Sequence, residues 1–105
     1  MNLALVNQCN DVILNEYLSP TKDTVVRSYE RDCGATTDFS TIVSIGKSSQ
    51  LPQENLTLIA AAKGRISLNI EWITESQLRI KSTGSFVNKR DRFENIAITY
   101  QQLVK

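Results

Sequence analysis

An alternation with a period of two recurs along this chain and limits it to a β fold. In Ser67-Leu68-Asn69-Ile70-Glu71-Trp72 every second residue is apolar, which sets Leu68, Ile70 and Trp72 on one face. Residues 77–81 repeat the pattern with Leu78 and Ile80, and residues 96–100 repeat it with Ile96, Ile98 and Tyr100. A strand turns successive side chains to opposite faces, so this spacing predicts half-exposed antiparallel strands whose apolar residues build one side of a core. The short polar connector Ile73-Thr74-Glu75-Ser76 joins the first two as a hairpin.

Weaker signals fill the rest. Residues 24–31 read as a strand entered through the turn Ser19-Pro20-Thr21-Lys22-Asp23, where Pro20 presets φ and Asp23 can bond nearby backbone groups. Residues 39–45 are β-branched and hydroxyl-rich, with Gly46 as the expected stop. Residues 55–60 form a short apolar strand ending before Lys63-Gly64. In 11–18 the apolar residues keep no single phase; this segment reads as a strand. Loops are expected at 47–54, 61–65 and 82–94, the last carrying Lys89, Arg90, Asp91 and Arg92 as a solvated charge run. The expected fold is all-β, a single domain over residues 1–105, with an antiparallel meander of about six or seven strands curling into a small sandwich or open barrel. Asn55-Leu56-Thr57 matches a glycosylation acceptor and reads as coincidence, because Leu56 looks like a strand residue.

Composition narrows the function. The chain has no histidine, which removes Cys–His and Ser–His–Asp nucleophile pairs and most zinc sites. A net charge of +1 without a basic stripe argues against nucleic acid as a partner. No run approaches the ~20 apolar residues of a membrane helix. Met1-Asn2-Leu3-Ala4-Leu5-Val6 lacks a basic start and a long apolar stretch, so either the protein is cytoplasmic or this sequence begins after a removed signal. No cofactor motif is present, and none is expected to bind.

The densest block runs from Glu30 to Ser44, through Arg31-Asp32-Cys33-Gly34-Ala35-Thr36-Thr37-Asp38-Phe39-Ser40-Thr41. Together with Cys9, the Ser19-Pro20 turn and the alternation around Trp72, this block resembles a group of small uncharacterised exported bacterial proteins, many of them lipoproteins. The resemblance implies the fold type and an exported, periplasmic or outer-membrane-associated setting; it implies no activity. The chain departs from the group at Thr21-Lys22-Asp23, where relatives have Asp-Gly, and it carries no lipobox.

Cys9 and Cys33 lie 24 positions apart without a CxxC or a histidine, a poor metal set. A disulfide is the economical reading; the alternative is two separate buried thiols in a cytoplasmic protein. A bridge at Cys33 would fix the start of the following loop, and Phe39 is expected to anchor its end in the core. The residues Asp32, Thr36, Thr37, Asp38, Ser40 and Thr41 would then form a preorganised polar binding surface. The competing reading is a structural turn in which these groups satisfy nearby backbone. Glu30, Asp32 and Asp38 could supply an acid pair, since alternate strand residues lie ~7 Å apart on one face; the commoner explanation is a solvated face, with Asp32 bonded to Arg31 or Arg27. Trp72 reads as a buried anchor. The preferred function is therefore a non-enzymatic envelope module that binds a protein or envelope component, of the inhibitor or immunity-factor type. The alternative is a small carboxylate-dependent hydrolase or carbohydrate-active domain.

Overall fold

A computed structural model describes residues 9–34, 39–50 and 55–103. Nine strands appear among the described residues: β1 (Asn10–Leu18), β2 (Thr24–Asp32), β3 (Ser40–Lys47), β4 (Thr57–Lys63), β5 (Leu68–Thr74), β6 (Gln77–Ser82), β7 (Asn88–Lys89), β8 (Arg92–Phe93) and β9 (Ile96–Gln102). A 3₁₀ turn, Ser48–Gln50, follows β3. The strands form two open sheets, ordered β1-β2-β3-β4-β7 and β5-β6-β9-β8. The sheets face one another as a sandwich and do not close into a barrel.

The alternating residues meet as expected. Ile70, Leu78, Ile80, Ile96 and Ile98 are buried with Val26, Val43, Ile45 and Ile59 of the first sheet, and Leu68, Trp72 and Tyr100 pack against them. β2 and β3 are covered on both faces, because the alternate residues Val25, Tyr29 and Ile42 are buried as well.

The meander holds only for β1–β4 and for the β5–β6 hairpin. After β6 the chain crosses to the first sheet, where Val87 N–H donates to the Ala61 carbonyl and Arg90 N–H to the Ile59 carbonyl, each at 2.8 Å. It then returns through β8, so β9 runs beside β6 in parallel, with Leu78 opposite Ile98 and Ile80 opposite Tyr100. The expected 82–94 loop is this crossing, with β7 and β8 built into it. Gly46 does not stop β3; it pairs with Val25 and the strand continues to Lys47. A glycine weakens a strand by roughly 0.5–1 kcal/mol, too little to end a ladder held by its neighbour. β4 likewise runs on through Ala60-Ala61-Ala62, residues of weak strand preference carried by pairing with β3. In β1 the register shifts between Ile13 and Asn15, which makes Leu14 a bulge and accounts for the broken alternation there.

One end of the sandwich is tied shut. Trp72 Nε1–H donates to the Tyr17 carbonyl at 3.1 Å, bridging β5 to β1. Glu75, in the β5–β6 turn, accepts from the Ser19 hydroxyl at 2.8 Å and from Thr21 N–H at 3.0 Å, joining it to the β1–β2 turn.

Candidate surface at the disulfide end

The opposite end of the first sheet holds the residues singled out in the sequence. The β1–β2 ladder finishes with Asn10 opposite Asp32, and the Cys9–Cys33 disulfide closes the next position. The bridge is therefore a staple across the open end of a hairpin. Gly34 follows, with φ +135° and its N–H donated to Asp32 Oδ1 at 3.1 Å.

Strand phase decides what this end presents. Val12 pairs with Glu30 and Glu30 with Thr41, on the same face as the core residues Val26 and Val43. Phe39 is in phase with Thr41. Near the other end this face lies under the second sheet. Here it emerges, leaving Val12 59% and Phe39 36% exposed. Phe39 is thus not the core anchor expected of it: it lies past Thr41, where its carbonyl accepts from the Gly64 N–H as the chain leaves β4. Its covering group is Arg65, whose guanidinium carbon sits 4.0 Å from the ring centroid. Arg65 Nε is also 3.3 Å from Glu30 Oε1, so an aromatic face and a carboxylate together hold a guanidinium that stays 61% exposed.

On the other face Arg31 grips Asp11 through Nε at 2.8 Å and Nη2 at 3.1 Å. That hydrogen bond raises the Arg31 pKa further above its already high ordinary value. Arg31 also lies 5.5 Å from the Tyr29 ring centroid. Arg27 pairs with Glu16 at 2.7 Å. Asp32 is therefore bonded to the Gly34 N–H rather than to Arg31 or Arg27, whose partners come from β1.

The sequence-derived candidates separate. Asp32 and Ser40 are half-buried at the ends of β2 and β3. Thr41 is fully buried, donates to the Gly64 carbonyl at 2.7 Å and accepts from Ile66 N–H at 3.4 Å, so it serves the turn after β4 rather than a contact surface. Thr36, Thr37 and Asp38 lie outside the described residues. Of the proposed acids, Glu30 faces Arg65 and Asp32 caps its own turn. Neither lines the cleft of about 220 Å³ among Ser82, Ser85, Phe86, Lys89 and Tyr100. In that cleft Tyr100 donates to the Arg90 carbonyl at 2.7 Å, and burial pushes its pKa up to about 12. Among the described residues no cluster of His, Cys, Asp or Glu could hold a metal ion.

Arg65 and Val12 escaped the sequence reading. Nothing local marks them; the β3–β4 register brings Arg65 to Phe39, and the β1–β2 register brings Val12 to Glu30. Comparison with protein-family models, curated proteins and solved structures finds no significant match for this chain.

Proposed function

We propose that this protein is a non-enzymatic binding module of the cell envelope, acting through the disulfide end of its first sheet. The observation that carries the reading is Arg65: exposed, laid on Phe39 and held by Glu30, beside the exposed Val12. Arginine and aromatic side chains dominate the energetics of protein interfaces. A guanidinium already fixed by a ring and a carboxylate loses little freedom when a partner carboxylate or carbonyl takes its remaining donors. The partner surface would be apolar with an acidic or carbonyl-rich centre. The Cys9–Cys33 disulfide fits an oxidising compartment. The likeness of the block from Arg31 to Thr37 to small exported bacterial proteins agrees with a periplasmic or outer-membrane-associated location. Thr36, Thr37 and Asp38 join Gly34 to Phe39 in sequence and would contribute at the rim.

Immobilised protein exposed to the native host's envelope fraction should retain a discrete partner. Arg65→Ala, Phe39→Ala and a combined Thr36→Ala/Thr37→Ala/Asp38→Ala variant should each weaken capture at unchanged melting temperature. Retention of the same partner by Arg65→Ala and Phe39→Ala at wild-type strength would place the contact elsewhere.

A further inference from the structure

We propose that the cleft beside β9 is a second binding site, and that its ligand is a single acidic sugar, a pyranose ring carrying one carboxylate. The cleft lies where β6 and β9 part: Ser82 is still paired with Gln102, and the chain then crosses to the first sheet. One wall is the crossing segment, with Ser82, Ser85 and Phe86; the others are Lys89 of β7 and residues 100–102 at the end of β9. The crossing segment is fixed at both ends. Thr83 N–H donates to the Ser67 carbonyl at 3.1 Å, and Val87 N–H to the Ala61 carbonyl at 2.8 Å. Between them Gly84 lies so close to Ile66 that a Cβ would fall 2.6 Å from its Cγ2. Tyr100 is held by its hydrogen bond to the Arg90 carbonyl. The cleft is therefore formed before any ligand arrives, which lowers the ordering cost of binding.

Size and chemistry select the occupant. At about 220 Å³ the cleft is smaller than the roughly 300–1,000 Å³ of sites for drug-sized ligands, which fits a single ring. Its polar groups are hydroxyls and amides, which both donate and accept, as the hydroxyls of a sugar require. Among the described residues neither Ser85 nor Gln101 has a hydrogen-bond partner for its side chain, and Gln102 uses only its Nε2–H, on the Thr83 carbonyl at 3.2 Å. Phe86, half-buried and 5.5 Å from Tyr100 in an edge-to-face pair, supplies an apolar surface for the C–H face of a pyranose. The one charged group in the lining is Lys89. It lies 5.1 Å from the Tyr100 ring centroid and forms no ion pair with a described residue. A lone ammonium matches one carboxylate. No acid lines the cleft, so the two-carboxylate route of glycoside hydrolysis is not built there, and the site binds without cleaving.

NMR titration of the oxidised protein tests this independently of the envelope partner, because neither Arg65 nor Phe39 lines the cleft. D-glucuronate or D-galacturonate should shift the amides of Ser85, Phe86, Lys89 and Gln101, with a Kd of about 1 mM for a ligand of about 13 non-hydrogen atoms. D-glucose, lacking the carboxylate, should bind about fivefold more weakly, and acetate should leave those amides unmoved. Lys89→Gln, at an exposed position, should bind acidic and neutral sugar alike, and Ser85→Trp, which fills the cleft from its exposed rim, should bind neither. The proposal is overturned if neither acidic sugar shifts these amides at about 50 mM. It is equally overturned if glucose binds as tightly as the acids, if acetate reproduces the shifts, if the preference for the acid survives in Lys89→Gln, or if Ser85→Trp still binds.

Discussion

The Thr41 hydroxyl serves two backbone groups at once. Gly64 turns the chain out of β4 with φ +78°, a conformation that side chains disfavour, and its N–H donates to the Phe39 carbonyl at 2.6 Å. Thr41 then takes the Gly64 carbonyl and the Ile66 N–H. Thr41→Val keeps the shape but leaves both groups without that partner. Equilibrium unfolding in urea should show a loss of about 1–3 kcal/mol, against a change within about 0.5 kcal/mol for Ser40→Ala next to it. A truncation such as Leu78→Ala or Ile80→Ala, at side chains that are 1% and 0% exposed, should remove roughly 2–5 kcal/mol by leaving a cavity. The two classes were not equally visible in the sequence. Leu78 and Ile80 announce themselves by phase, because a strand with one polar face has only one place for its apolar residues. Thr41 gives no such sign: a hydroxyl reads alike whether it faces solvent or a buried carbonyl, and the carbonyl it meets is 23 residues away.

The β1–β2 hairpin is held at both ends, by different chemistry. At the open end the disulfide closes a loop of roughly 25 residues, for which the chain-entropy estimate is about 3.5 kcal/mol. Unreduced protein should weigh two hydrogen atoms less than reduced protein by intact mass, and reduction should lower the urea midpoint. At the turn end Glu75 of the facing hairpin supplies the tie. The Thr21 N–H, helped by the Ser19 hydroxyl, holds the Glu75 carboxyl below its ordinary value of 4.5. A carboxyl depressed in the folded protein stabilises it above the unfolded pKa, and that contribution disappears as pH falls through the folded pKa. Wild type should therefore melt above Glu75→Gln at neutral pH, and the gap should close as pH drops below about 4.5. The β5–β6 hairpin was legible in the sequence because a short polar turn between two alternating runs is a local signal. The parallel β6–β9 pair and the tie between the two turns were not, since both join segments that meet only after the chain has crossed the sandwich.

Stability should be graded along the length of the molecule. At the turn end both sheets are present, the core residues Val26, Ile45, Leu78 and Ile80 are shut off from water, and Trp72 and Glu75 bridge the layers. At the disulfide end the first sheet continues with its former core face open, as Val12 and Phe39 show. Fewer apolar contacts there mean a smaller free energy of local opening. Hydrogen exchange in dilute oxidised protein should separate the two regions. The amides of β3 and β6 should exchange only through global unfolding, with a denaturant dependence equal to that of the whole molecule. The amides of Asn10, Asp11 and Val12 should exchange by local opening that denaturant hardly affects. Reducing the disulfide should accelerate the second group far more than the first. Uniform protection along β1, or an equal response of both groups to reduction, would show that the molecule opens as one unit and that its disulfide end is as rigid as its core.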